Sequence, residues 1–378
     1  MLTKNKICVS ILTKKANYMK NNKKYIKKVS IVIICIVITF GIVYAGIIKY
    51  NNLKMFPTYT GKKLDANNNN IWIGSFQLAW NDFMDQIIGG NIEFENGNSD
   101  LLNELNKKSF TKDMISENNY YVEVGKTNPD LKSKIIKNLK NKFNINDSLI
   151  LKDINFDNVN NGYTIYSLLY KNIEFIEPLD KLNSSYFGDN KEEYDNQKVK
   201  YFGIDRSSNK KLKNSVDILF YNNNSDFAVK LKSKSNDEII LYRTDKLDSF
   251  DSIYKDALEK ESKYDGDKLF EKSDELEIPY ISINTAISYD ELCQKNIKGQ
   301  NGMFIENAVQ NVIFSLNEKG ASIFSESTIK STYLSIPKRA FFFDNKFILF
   351  VKEKDKNNPY FALRIDNSDF LVKSESDK

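Results

Sequence analysis

The C-terminal part of the chain contains a strand, a long polar loop and two further strands, and this order limits most strongly how the chain can fold. Residues 312–316 are apolar except for Ser315, and the chain then becomes polar and reaches Gly320. Two more strands are predicted at 341–351 and 360–365. The intervening stretch of about twenty residues exceeds the usual loop length, and such loops are usually functional or disordered. Strong strands on both sides indicate that its ends are held.

The N-terminal part has the pattern of a chain inserted into a membrane. Residues 1–28 hold nine lysines and no acidic residue, and residues 29–48 carry no charge. Twenty apolar residues are long enough to cross a bilayer, and lysines before such a run stay on the cytoplasmic side. We therefore predict a basic cytoplasmic tail at 1–28, a transmembrane signal anchor at 29–48, a polar linker at 49–69 and a folded domain at 70–373 outside the cytoplasm.

A cleavable signal peptide is the alternative to this anchor. Val43-Tyr-Ala45 resembles the small-residue cleavage site, and translation from Met19 would give a more ordinary signal peptide. The protein is then either a single-pass membrane protein or, if cleaved after Ala45, a secreted one. A buried core helix at 29–48 is disfavoured by the length of the run.

Composition excludes several kinds of function. Without residues 1–28 the formal charge falls from +5 to −4, so no nucleic-acid surface is predicted on the folded domain. The chain has no histidine, which leaves only Ser–Lys or carboxylate chemistry for an enzyme. Cys293 is the one cysteine beyond the apolar run, which excludes an intramolecular disulfide in the exported domain. We predict no enzyme activity, no metal and no cofactor.

Hydrophobic periodicity predicts the main elements of the domain. Phe76, Trp80, Phe83 and Ile87 follow helical spacing, with Ser75 as the predicted N-cap and two glycines at the end. Further helices are predicted at 130–143 and 249–264. Strands are predicted at 164–175, 216–221, 227–231, 238–242 and 278–283.

Blocks spread over residues 70–372 resemble motifs of the serpin family, in the family's order. Asn317-Glu-Lys-Gly320 is similar to the serpin hinge, and the spacing from Gly320 to Phe343 fits a full-length reactive-centre loop. The remaining blocks are similar to the family's opening motif, central-sheet strand, a later strand and the C-terminal hairpin: 70–78, 167–180, 278–283 and 343–365.

The resemblance, to a divergent bacterial serpin-like protein, implies an α+β fold. We expect a large central mixed β-sheet, two smaller sheets, surrounding helices and a monomer. Phe175 stands where the family has its breach tryptophan, and the resemblance makes Phe175, Ser75 and Gln77 the breach- and shutter-like residues. Gly74 and Gln77 replace the two serines of the opening motif.

The resemblance also implies a reactive-centre loop at 321–340 that is cleaved and then enters the central sheet as a strand. The implied hinge residues are Glu318, Gly320, Ala321, Ser322, Ile323 and Phe324. Inhibitory members carry mostly alanine and threonine here, whereas Ile323 and Phe324 are bulky. Two functions therefore remain: a membrane-tethered protease inhibitor, or a non-inhibitory binding or structural protein at the cell surface.

The family's usual hinge-to-scissile distance, counted from Glu318, places the reactive bond at Leu334–Ser335. Leu334 would suit an extracellular serine or cysteine protease with a hydrophobic primary pocket, and Tyr333 serves if the register is one residue off. Pro337 keeps the following chain extended. Basic residues give the alternative of simple proteolysis without inhibition, at Lys330, Lys338 or Arg339.

Overall fold

The middle of the chain folds as an antiparallel meander because runs of β-branched and aromatic residues alternate with tight polar turns. The computed structural model describes residues 53–56, 62–145, 151, 154–157, 160–171, 173–188, 198–321 and 338–374. Within them the strands, numbered in chain order, are β1 (Leu53–Phe56), β2 (Asn69–Ile73), β3 (Tyr120–Lys126), β4 (Gly162–Tyr170), β5 (Ile173–Glu174), β6 (Asp180–Ser185), β7 (Val199–Ile204), β8 (Val216–Asn223), β9 (Asp226–Lys232), β10 (Asp237–Arg243), β11 (Glu275–Pro279), β12 (Ile281–Ser288), β13 (Phe304–Asn317), β14 (Gly320–Ala321), β15 (Ala340–Phe342), β16 (Phe347–Glu353) and β17 (Phe361–Ile365).

These strands form three sheets. A seven-stranded sheet has the order β1-β2-β17-β16-β10-β9-β8, and a four-stranded sheet has the order β15-β11-β7-β6. A six-stranded sheet has the order β3-β4-β13-β14-β5, with β12 also paired to β13. Each sheet contains one parallel pair, which is β1 with β2, β15 with β11, and β4 with β13. The six-stranded sheet contains β13, which ends in the predicted hinge motif, and it therefore corresponds to the predicted central mixed sheet.

The expected sizes of the sheets need one correction, since there are two large sheets and a small one. The C-terminal hairpin β16–β17 joins the meander through β10 and also pairs with β2, which makes one continuous seven-stranded sheet. The predicted meander is confirmed, and so is the α+β class.

Two predicted strands are each divided between sheets. The strand at 278–283 ends at Pro279, which has no N–H for a further ladder bond, and resumes as β12 in the six-stranded sheet. The strand at 341–351 is broken after Phe342 by a turn in which Lys346 N–H bonds Asn345 Oδ1 (2.8 Å). Its halves are β15 and β16, in different sheets. A third predicted strand, at 164–175, is interrupted after Tyr170, but its two parts, β4 and β5, belong to the same six-stranded sheet.

The α-helices of the described residues are α1 (Gly74–Asp82), α2 (Asp100–Leu105), α3 (Pro129–Phe143) and α4 (Phe250–Lys263). A π-helix, Phe83–Ile88, continues α1 and ends at Gly89 in the left-handed conformation. Ser75 is not the cap, because α1 starts one residue earlier, directly after β2 and without a capping side chain. Short 3-10 turns cover Lys112–Met114, Glu117–Asn119, Lys210–Ser215, Asp290–Leu292 and Ser368–Phe370.

Helix α3 covers the outer face of the six-stranded sheet. Its apolar side, Leu131, Ile135 and Leu139, packs with Tyr166 and Leu168 of β4. Asn128 caps it by accepting from Leu131 N–H (2.8 Å). The predicted amphipathic helix is therefore confirmed, and it buries the face of the sheet that it covers.

The segment predicted as a linker contributes to the domain in part. Strand β1 pairs in parallel with β2, and Leu64 is buried. No helix among the described residues is both long and apolar enough to span a membrane. The basic tail and the predicted anchor at 29–48 lie outside the described residues.

Candidate functional site

A short turn closes β13 and begins the candidate loop. Lys319 N–H donates to Asn317 Oδ1 (2.9 Å), which fixes the turn. Gly320 follows with φ +138°, and a Cβ there would lie 1.8 Å from the carbonyl oxygen of Ile173. Only glycine fits this position, because both its dihedral angle and the approach of the neighbouring strand exclude a side chain.

The two residues of β14 lie between two strands. Gly320 pairs with Asn317 of β13 and Glu174 of β5, and Ala321 continues both ladders. Two further backbone bonds hold the turn, from Phe175 N–H to the Lys319 carbonyl (2.9 Å) and from Leu179 N–H to that of Glu318 (2.8 Å). Strand β14 therefore ends inside the sheet, between two other strands.

A buried carboxylate fixes the same turn. Glu318 is 3% exposed, and its Oε2 accepts from the Tyr280 hydroxyl at 2.8 Å. Lys181 Nζ lies 3.6 Å from the other carboxylate oxygen. Burial, together with the hydrogen bond and charge of Glu318, raises the pKa of Tyr280, so this hydroxyl remains a donor. Opening the turn would separate the Glu318 carboxylate from these partners, leaving it either exposed to water or buried without them.

A central polar cluster, formed by Ser75, Ser167, Tyr289 and Gln310, lies where β4 and β13 run side by side. Gln310 Nε2 donates to Ser75 Oγ (2.9 Å), and its Oε1 accepts from the Tyr289 hydroxyl (3.0 Å). Burial raises the pKa of Tyr289, which keeps its proton. Ser167 pairs with Gln310 across the strands, and its buried Oγ has no hydrogen-bond partner among the described residues.

Three residues singled out from the sequence lie apart from one another. Ser75 belongs to the central polar cluster. Gln77 does not reach it, because its Nε2 donates to Asn81 Oδ1 (2.8 Å) and to the carbonyl of Leu105 (2.7 Å). Phe175 lies beside the hinge, 2% exposed and tilted against Phe202 with ring centroids 6.3 Å apart.

The far end of the loop is held by a buried ion pair. Arg339 Nη2 donates to Asp274 Oδ2 (2.6 Å) and to the carbonyl of Leu269 (2.7 Å), and Nε donates to Asp274 Oδ1 (3.1 Å). Arg339 is 7% exposed and Asp274 is fully buried. Burial alone would lower the pKa of Arg339, but the hydrogen bonds and charges of Asp274 and Tyr264 outweigh it, so the pKa is raised. Arg339 is therefore not an accessible cleavage site, and Lys338 is the exposed one.

The other proposed loop residues lie outside the described residues. These are Ser322, Ile323, Phe324 and Lys330, with Tyr333, Leu334, Ser335 and Pro337. Both ends of the loop are thus positioned by the structure, one on β13 and β5 and the other on β11.

No family model matches the chain, and a search of curated proteins finds no match. Among solved structures the chain is similar to serpins. Human glycosylated kallistatin is 12% identical over 73% of this chain and 71% of its own, with a TM-score of 0.42. Serpin48 from the insect Tenebrio molitor is 13% identical over 82% and 77%, with a TM-score of 0.37. Thyroxine-binding globulin in complex with thyroxine is 13% identical over 65% and 76%, with a TM-score of 0.41.

The topology of this chain agrees with its sequence motifs. Three sheets are present, each with one parallel pair of strands, and the hinge motif ends a central strand of the six-stranded sheet. The fold is serpin-like. In this serpin-like domain the described residues contain no group of three or more Cys, Asp or Glu side chains that could hold a metal ion.

Sequence analysis missed two features of the candidate site. Gln310 is one of several polar residues in β13, together with Glu306, Asn307 and Asn311, so the sequence alone did not mark it as part of a buried polar cluster. Arg339 gave no signal, because its partner Asp274 lies far along the sequence and only the folded chain brings them together.

Proposed function

We propose that this protein is a membrane-tethered, extracytoplasmic protease inhibitor that presents residues 321–340 as bait. The position of β14 between β13 and β5 carries this proposal. Beyond Ala321, the same strand would continue between β13 and β4, antiparallel to both. One parallel pairing would be exchanged for two antiparallel pairings, which are slightly more stable per residue.

The proposed reaction starts with attack of the protease nucleophile on the Leu334 carbonyl. The Leu334–Ser335 bond breaks, the Leu334 acyl group stays on the protease, and the new amine of Ser335 leaves with the C-terminal fragment. The freed N-terminal part of the loop then enters the six-stranded sheet with the protease attached. In the folded protein the cut is what frees the loop for insertion, because Arg339 and β15 hold the other end of the intact loop.

The register of β14 assigns a face of the sheet to each residue that would follow. Ile323 would pair with Phe314, whose side chain is part of the hydrophobic core. Phe324 would pair with Ile313 and Tyr170, which are only half-buried beside Phe143. The two bulky residues would therefore lie on opposite faces of the sheet, Ile323 on the core face and Phe324 on the half-buried face.

Two later positions, Glu326 and Ser327, differ in how well they would fit the sheet. Glu326 would pair with Asn311 and Leu168, which are 3% and 0% exposed, so its carboxylate would be buried. Ser327 would pair with Gln310 and Ser167, where the Ser167 hydroxyl lacks a partner. Ser327 thus fits the central polar cluster, whereas Glu326 opposes insertion.

The partner that we propose is an extracellular serine or cysteine protease with a hydrophobic primary pocket, which Leu334 would fill. The membrane is the second partner, through residues 29–48, or the protein is secreted if the chain is cut after Ala45. We also propose that the protein is a monomer and binds no nucleic acid.

Incubation with chymotrypsin, subtilisin and elastase tests this function. We expect a covalent adduct on denaturing gels, and mass spectrometry of the released fragment should find Ser335 at its start. The matched variant Leu334→Arg should transfer adduct formation to trypsin without moving the fragment's first residue. Fragments that begin after Lys330 or Lys338, with no adduct, would identify the loop as a mere substrate.

A non-inhibitory binding or structural protein at the cell surface is the second candidate. The observation that favours it is the burial that awaits Glu326. For this candidate we expect clean cleavage at the loop, no adduct with any protease, and an unchanged melting temperature after the cut.

A further inference from the structure

Leu269 is an apolar side chain that the fold holds out in water. It is 75% exposed, and the other large apolar side chains exposed among the described residues are Ile136, Ile176 and Leu258, at 37%, 43% and 40%. Single exposed leucines are common on protein surfaces, so exposure alone has no meaning. Two further observations, the rigid support of Leu269 and its location, give its exposure a functional meaning.

The support of Leu269 is rigid. Its N–H donates to Asp267 Oδ1 (2.8 Å), and its carbonyl accepts from Arg339 Nη2 (2.7 Å). The next residue, Phe270, is 7% exposed and packs against Phe341 of β15, with ring centroids 5.6 Å apart. The side chain of Leu269 therefore projects from a fixed turn, and ordering it in a complex costs little conformational entropy.

The location is the exit of the proposed bait loop. The side chain of Arg339 binds the Leu269 carbonyl, and Arg339 is only four residues after Ser335. Four residues of backbone span at most about 14 Å, and the length of the Arg339 side chain adds to this distance. Thirteen residues separate Ala321 from Leu334 and can span about 45 Å. A protein partner covers about 800 Å² of each surface, a patch of roughly 16 Å radius. A protease at the proposed bond is thus tied more closely to Leu269 than to the hinge.

We infer that Leu269 is an exosite, a contact outside the bait loop that docks on the protease attacking this chain. The inference rests on the proposed function. The occupant is an apolar depression on the protease, beside the part of its cleft that receives the residues after the cut bond. Burying a leucine there strengthens the first encounter without entering the chemical step.

The test compares Leu269→Ser with the matched control Leu258→Ser, which removes an exposed leucine from the outer face of α4. The measured quantity is the second-order rate constant for loss of the intact loop, counting adduct and cleaved product together, with chymotrypsin, subtilisin and elastase. We expect Leu269→Ser to lower it roughly fivefold or more with the enzyme that attacks fastest, and Leu269→Met to restore it. Leu258→Ser should match the unchanged protein, and all variants should keep the same melting temperature.

The ratio of adduct to cleaved product separates this inference from the proposed function. If the protein is only a substrate, the adduct is absent in every variant, yet the rate of loop loss still reports the contribution of Leu269. Equal rates for Leu269→Ser and the unchanged protein would overturn the exosite. An equal loss of rate in Leu258→Ser, or no cleavage of the loop by any of the three enzymes, would overturn it as well.

Discussion

Gly320 is a single residue on which the geometry of the hinge depends. We predict that Gly320→Ala destabilises the protein by roughly 2 kcal/mol or more, because φ +138° is unfavourable for alanine and its Cβ would collide with the Ile173 carbonyl. Urea unfolding measures this. Gly90→Ala is the matched control, because a Cβ there meets no atom within 4 Å and should change stability little.

Glu277 on β11 gives the domain a dependence on pH. Burial, followed by the charges of Asp344, Glu275 and Asp205, raises the pKa of Glu277 from 4.5 to about 7. Between these values the folded state holds a proton that the unfolded chain has lost. Stability therefore falls as pH rises from 4.5 to about 7, and stays lower above it.

We predict that Glu277→Gln removes this loss. From pH 4.5 to pH 8 the variant should gain on the order of 3 kcal/mol relative to the unchanged protein, measured by urea unfolding at both values. Asp344→Asn should give a smaller gain, because it removes the largest of the charges that raise the pKa of Glu277. Parallel pH profiles for Glu277→Gln and the unchanged protein would contradict the assignment.

The strand that would enter the six-stranded sheet is limited by one side chain in our register. Cutting the loop near Leu334 should raise the melting temperature if a new strand forms. We predict that Glu326→Ala enlarges this rise by roughly 5 °C or more, because it removes a carboxylate that would lie buried beside Asn311 and Leu168. Calorimetry of cut and intact protein measures it.

Glu177→Ala is the control for this experiment, since Glu177 is exposed near the hinge and does not enter the sheet. No rise on cutting in any variant would favour the non-inhibitory function. A rise that is as large with Glu326 present would show that the register is different.

How far sequence predicts these elements depends on whether a pattern is local. The helix α3 and the meander β8–β10 were predictable, because their periodicity and turns lie within a few residues. The division of the strand at 341–351 between two sheets was not, since an apolar run does not state which partner it pairs with. The face of the sheet for Ile323 and Phe324 likewise required the β13–β14 register.

The domain as a whole is predicted to lie outside the cytoplasm. If residues 29–48 are an uncleaved anchor, the protein should fractionate with membranes and keep Met1 or Met19 at its N-terminus. A soluble protein that begins at Gly46 would instead show a cleaved signal. The accessibility of the domain to protease added to intact cells tests the shared expectation, and a protected cytoplasmic domain would contradict both versions.

The parallel pairing of β4 and β13 sets an order of events for a newly made chain. Thr164 and Asn307 meet across 143 residues, whereas β13 and β14 meet across one tight turn. Closing the longer segment costs more entropy and takes longer, so the local hairpin has a head start. During refolding, β4 therefore has to pair with β13 before the loop that follows β14 occupies the same position in the sheet. A chain in which the loop inserts first ends in a compact form whose bait loop is no longer available to a protease. The yield of native protein after denaturation should therefore depend on how fast β4 and β13 are brought together.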